Sequence, residues 1–238
     1  MKIVLDLETI PSQRLDVLQI IHADAEKETK QIKAPSNYKD EAKIVEYITQ
    51  KSNEILDGVD DTWRKTSFDG GYGHICVIGF TIDDSNPIAL YKEGDDHVAN
   101  EISIIKSFYE ILRDAYNPSA RVPTVIGHNL IGFDLKFLFQ RSVVLGIKPP
   151  AFIKFDAKPW DDCVFDTMTK WAGFGNRVSL NKLANILEVG EKGVEGEEFD
   201  GSMVWDAVKS GDIAKVAEYC KQDVSLTRRI YQRLNFLG

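Results

Sequence analysis

The chain has 238 residues, enough to bury a full core in one large α/β domain or two small ones. Its 29 basic and 37 acidic side chains leave a formal charge of −8, which argues against holding nucleic acid by global electrostatics but not against working on it at a local site. There is no apolar run of bilayer-spanning length and no signal-peptide succession at the N-terminus, so a cytoplasmic protein with no membrane partner is expected. Cys76, Cys163 and Cys220, far apart and among apolar neighbours, read as reduced core thiols.

In chain order, Lys2 to Pro11 (KIVLDLETIP) opens with the short apolar run of a strand buried on both faces and closes on a proline that cannot continue a ladder. Side chains two apart on a strand share a face, so Asp6 and Glu8 project together from its C-terminal end. Two such carboxylates repel unless a cation lies between them, which suggests a divalent-metal site. Either acid alone would equally cap a turn or pair with a surface lysine.

Residues 12 to 70 read as a helical insertion. It holds a short helix over Gln13–Ile21, a charged, solvated stretch over Ala23–Lys33, and a helix capped by Asp40 with Ile44, Ile48 and Ile55 at helical spacing. Trp63 is read as pinning the insertion rather than stacking on a nucleotide. Ile75–Asp83 and Ile88–Lys92 predict a hairpin whose first strand pairs with the opening strand. Asn100 is expected to cap a helix to about Asp114, with Ile105, Phe108 and Leu112 as its apolar stripe.

Thr124–Gly127 predicts a strand broken at His128-Asn129, after which Asp134 lies in the first turn of a helix to about Leu145, where the macrodipole favours negative charge. Cys163–Asp166 reads as a short buried strand, with Asp166 as a helix cap rather than a metal ligand, and Ser179 caps a further helix. The Gly- and Glu-rich stretch Glu188–Ser202, with Lys192 its single basic residue, reads as a mobile loop. The last helix, Ile213–Leu237 with Asp212 as its cap, turns Val216, Ala217, Cys220, Val224 and Thr227 to the core. Tyr219 and Asp223 are neighbours on an adjoining face.

Asp6-x-Glu8, Asn129-x-x-x-Phe133-Asp134 and Tyr219-x-x-x-Asp223, taken together and in this order, resemble the three motifs of the DEDD superfamily of 3′→5′ exonucleases, in the branch with tyrosine in the third motif. The resemblance is closest to stand-alone exonucleases related to the proofreading domain of B-family DNA polymerases, and it spans both ends and most of the chain from Lys65 onward. It implies an α/β, ribonuclease H-like mixed five-stranded sheet with flanking helices: the opening strand central, the hairpin antiparallel on one side, the 124 and 163 strands parallel on the other. The whole chain would be a single exonuclease domain.

The resemblance further implies catalytic roles for Asp6, Glu8, Asp134, Tyr219 and Asp223, with the four acids holding two divalent cations, Mg²⁺ or Mn²⁺. Tyr219 would orient the attacking water. Leu7, Thr9, Asn129 and Phe133 would meet the terminal nucleotide of a nucleic acid, a single-stranded DNA 3′ end, and the products would be nucleoside 5′-monophosphates. Two alternatives stand beside this reading: an RNA 3′→5′ exonuclease, and a non-catalytic module that holds nucleic-acid ends.

Overall fold

The computed structural model describes residues 1–190 and 199–237; residues 191–198, Lys192 among them, lie outside the described residues. The sheet follows from the apolar runs. β1 (Lys2–Ile10) and β2 (His74–Ile82) are buried along most of their length, as strands covered by helices on both faces must be. With β3 (Ile88–Leu90), β4 (Thr124–Gly127) and β5 (Val164–Asp166) they form a mixed five-stranded sheet in the order β3-β2-β1-β4-β5. β2 is antiparallel to β1 and β3, whereas β4 runs parallel to β1 and β5 parallel to β4. This is the topology the motifs implied, with the opening strand central.

Because β1, β4 and β5 are parallel, their carboxyl ends meet at one end of the sheet, where open α/β sheets bind ligands. The β1–β2 register shifts once, between Glu8 and Thr9, where Cys76 is the extra residue on β2. A bulge re-aims side chains locally, and this one falls beside the second acid of β1.

The excursion between β1 and β2, Pro11–Gly73, is a compact unit of its own. Its first helix, α1 (Leu15–Thr29), continues past the expected end at Ile21, so the charged stretch is largely helical as well as exposed. α2 (Glu41–Asp57) starts where expected, with the Asp40 carboxylate accepting the Ala42 N–H at 2.9 Å. Ile44, Ile48 and Ile55 form its half-buried stripe. α3 (Val59–Arg64) carries Trp63, whose indole N–H donates to the Ser12 carbonyl at 2.9 Å. Trp63 therefore clasps the two ends of the excursion to each other.

The rest of the chain, with β1, forms the other unit. α4 (His97–Ala115) is capped by Asp96, which accepts the Ala99 N–H at 3.0 Å, and not by Asn100. The helix begins a turn earlier than its apolar stripe, and Asn100 instead donates to the carbonyls of Glu93 and Gly94. There follow α5 (Asp134–Val144), α6 (Thr167–Ala172), α7 (Leu180–Leu187), α8 (Val204–Lys209) and α9 (Ile213–Leu234). Ser179 caps α7 as expected, through the Lys182 N–H. Asp212 occupies the N-cap position of α9 but its side chain makes no capping hydrogen bond.

Strand alternation sorts β1 into two layers. Ile3, Leu5 and Leu7 join the core with Ile104, Ile105, Phe108 and Leu112 of α4 and with Leu135 and Leu138 of α5. Val4 and Ile10 point the other way, into clusters with Val224, Val216, Ala217 and Cys220 of α9. Asp6 and Glu8 share the parity of Val4 and Ile10, so period two delivers both acids to the α9 side.

Under α4 a buried ionic knot joins three elements. Glu101, fully buried, accepts two Arg141 N–H bonds at 2.7 Å each and the Ile75 N–H at 2.9 Å, and meets His74 Nδ1 at 2.9 Å. Burial by itself would raise the Glu101 carboxyl; the bonds from His74 and Arg141 and the guanidinium charge outweigh it and hold the group below its ordinary range.

Candidate active site

Three elements supply the motif residues. β1 carries Asp6, partly exposed, and Glu8, buried; α5 carries Asp134 in its first turn, 3% exposed; α9 carries Tyr219 and Asp223 one turn apart, with Asp223 6% exposed. Ligand atoms of Asp6, Glu8 and Cys220 all lie within 4.8 Å of one another. Asp134 is tied to the same strand, since its Oδ1 accepts the Leu7 N–H at 3.0 Å, between the two acids of β1.

The titration behaviour reflects this crowding. Burial first, then the Asp6 carboxylate, pushes Asp134 well above the ordinary carboxylate range, against the pull of its backbone N–H bonds. The Tyr219 phenol is likewise driven up, by burial and then by Asp223, Glu8 and Asp6 in turn. Asp6 thus acts on Asp134 of α5, and Asp223, Glu8 and Asp6 act together on Tyr219, while the ligand atoms that lie within 4.8 Å of one another are those of Asp6, Glu8 and Cys220 and do not include Asp134 or Asp223. Oxygen donors packed in this way suit hard divalent cations, whose charge would relieve the repulsion.

Tyr219 is half-buried, its ring edge-to-face with Phe199 at 4.9 Å between centroids. Thr9 is half-buried beside Glu8. The Leu7 side chain is 5% exposed and belongs to the core, so at the site this residue presents backbone. Asn129, at φ 63°, turns the chain out of β4; its carbonyl accepts the Phe133 N–H at 2.9 Å, and Phe133 packs on Phe137 with ring centroids 5.4 Å apart. Asp166 caps α6 as expected and also accepts the Asn129 and Ile131 N–H groups, holding the loop before Asp134 in place.

Two residues of the site escaped sequence reasoning. Cys220 is a core thiol, but its S–H donates to Asp6 Oδ2 at 3.2 Å. Its place three positions before Asp223 on one helix was the available signal. The other is Gly79, opposite Asp6 in the ladder, where an added Cβ would stand 2.6 Å from Cys220 Sγ and 3.1 Å from Val224 Cγ2. Only a glycine lets α9 approach the sheet closely enough to bring its acid and phenol to β1. A lone glycine in an otherwise apolar strand run is the sequence mark of such an approach.

A mixed sheet with its first strand central, flanked by helices and carrying acids from β1, α5 and α9, defines the class: a ribonuclease H-like exonuclease fold. Over residues 72–238 the chain matches, and it belongs to, the family described as "Predicted 3'-5' exonuclease related to the exonuclease domain of PolB". That match starts after β1, so Asp6 and Glu8 lie outside it. The structure of the family B DNA polymerase from the hyperthermophilic archaeon Pyrobaculum calidifontis is similar over 98% of this chain, with a TM-score of 0.57 and 14% identity. The chain spans 24% of that polymerase's length. No curated protein matches the chain in sequence. Among the described residues, no helix is long and apolar enough to cross a membrane.

Proposed function

We propose that the chain is a metal-dependent 3′→5′ exonuclease domain that hydrolyses DNA from single-stranded 3′ ends to nucleoside 5′-monophosphates. Asp6, Glu8, Asp134 and Asp223 would hold two divalent cations, Mg²⁺ or Mn²⁺. The observation that carries the reading is the gathering of acids from β1, α5 and α9 at the carboxyl end of a ribonuclease H-like sheet, in a chain whose family is described as exonuclease. When bound, such cations supply an activated water and neutralise charge on the phosphate and the departing 3′ oxygen.

The chain's own groups position the rest. Tyr219, kept as a phenol by burial and by the carboxylates around it, orients the attacking water by hydrogen bond and does not act as its base. Asn129 and Phe133, on the loop held by Asp166, contact the strand, while Leu7 and Thr9 bracket Glu8 at the terminal nucleotide. The test is a gel of 5′-labelled DNA with free and blocked 3′ ends, in Mg²⁺ and in EDTA, beside a matched RNA. A ladder shortening from the free 3′ end of DNA only in Mg²⁺ is expected. Cleavage that ignores the block, survives EDTA or favours the RNA overturns the reading.

A further inference from the structure

From Thr167 to Leu187 the chain carries three cations, Lys170, Arg177 and Lys182, and no acid, in a protein whose acids outnumber its bases 37 to 29. All three cations are exposed. Within the same stretch Trp171 is 45% and Phe174 84% exposed. Phe174 stands between Gly173 at φ 83° and Gly175 at φ 82°, two left-handed positions that hold the turn presenting its ring and that other residues adopt only with strain. An isolated apolar side chain on a surface needs no explanation. Two large rings interleaved with exposed cations match the needs of a single strand, whose bases stack on aromatic faces while its phosphates follow positive charge.

The segment is also fixed against the candidate site. His128, the residue before Asn129, bonds Thr167 Oγ1 through Nδ1 at 2.9 Å and the Val178 carbonyl through Nε2 at 2.8 Å. One imidazole thereby straps both ends of the aromatic turn to the carboxyl end of β4. Asp166, the cap of α6, accepts the Asn129 N–H at 3.1 Å and the Ile131 N–H at 3.2 Å, which ties the start of the helix to the loop before Asp134. Trp171 is five residues further along α6, about 7.5 Å at 1.5 Å per residue. Two stacking steps of about 3.4 Å each span that distance, so the third nucleotide of a strand is the first to reach the ring.

We infer that the Trp171–Arg177 turn is a stacking platform for the single-stranded DNA upstream of the nucleotide being removed, with Lys170, Arg177 and Lys182 following its phosphates. It rests on the exonuclease reading and assigns that site a longer strand contact. Its rings hold substrate; they take no part in bond breaking.

The test is fluorescence anisotropy of a 5′-labelled oligothymidylate and of a labelled dinucleotide on the full chain, with Ca²⁺ replacing Mg²⁺ to hold the strand uncut. Trp171→Ala and Phe174→Ala are each expected to weaken oligonucleotide binding about tenfold, the effect of one lost stacking contact. Phe174→Trp keeps the affinity. Lys170→Ala and Arg177→Ala each lower the slope of log affinity on log salt by about 0.7. The dinucleotide, too short to reach the turn, is bound equally by all. Unchanged oligonucleotide affinity in the aromatic variants, or an equal loss on the dinucleotide, overturns the platform while leaving the exonuclease reading intact. A wild-type chain that neither binds nor degrades any DNA strand overturns that reading itself.

Discussion

The same unit buries ionisable groups in two places, and they obey opposite logic. Under α4, Glu101 is surrounded by Arg141, His74 and a backbone N–H, so its negative charge is matched and its acidity is strengthened. At the end of β1, the Asp6 carboxylate adds to the burial that makes Asp134 resist ionisation, and Asp223, Glu8 and Asp6 together drive up the Tyr219 phenol. A paired buried charge locks elements together, whereas a cluster of like charges keeps a fold less stable than it could be. Natural chains retain such repulsion at sites of function, which is why the second cluster, and not the first, is the candidate for chemistry.

Loss of an acid should separate the two regions most sharply. Asp6→Ala and Asp223→Ala are each expected to lower nuclease turnover by about 10³-fold or more while the far-ultraviolet circular dichroism stays that of the wild type. Near-normal turnover in either purified variant would remove the cluster from catalysis.

At the ionic knot the expected effect is on folding. Arg141→Met strands Glu101 in the core and should cost about 3–5 kcal/mol in urea denaturation. The double variant Glu101→Gln/Arg141→Met, whose uncharged amide oxygen can still accept the Ile75 N–H, should recover most of that. Equal losses in the single and double variants would show that the knot works through packing and not through charge pairing.

Tyr219→Phe keeps the ring against Phe199 and removes only the hydroxyl. Hydrolysis is expected to slow by about 10–100-fold, with Mn²⁺ affinity by calorimetry unchanged. Lost Mn²⁺ affinity would make the phenol a structural part of the metal cage.

The smallest expected effect is the most diagnostic. Because the folded-state acidity of Asp134 is weakened, the protonated form favours the fold. Its contribution is fully present below the ordinary carboxylate range and is lost as pH rises through the elevated folded value. Metal-free protein should therefore lose stability as pH climbs from that range, and Mg²⁺ should restore it more than Na⁺ at equal ionic strength. Asp134→Asn, whose amide oxygen can still accept the Leu7 N–H, should stabilise the metal-free fold by about 0.5–2 kcal/mol and erase the pH trend. A wild type whose metal-free melting point rises over the same pH interval would contradict the repulsive cluster.

Much of this was legible in the chain. The apolar runs located the five strands of the sheet, and the family resemblance carried by the three motifs implied their order. Asp40, Asp166 and Ser179 cap helices as read. Asn100 did not, because a cap competes with another polar residue one turn earlier, and propensity ranks Asp96 and Asn100 alike. Lys192 and its loop lie outside the described residues.

What the sequence by itself determined is local: period two on β1, which puts Asp6 and Glu8 on one face, and the one-turn spacing that sets Tyr219 beside Asp223. Which helix that face meets was decided only in three dimensions. So were the Cys220 thiol on Asp6, 214 positions away, the glycine that admits α9, and the pairing of Glu101 with Arg141. Backbone periodicity is written within a few residues, but an encounter between distant side chains depends on how whole elements pack.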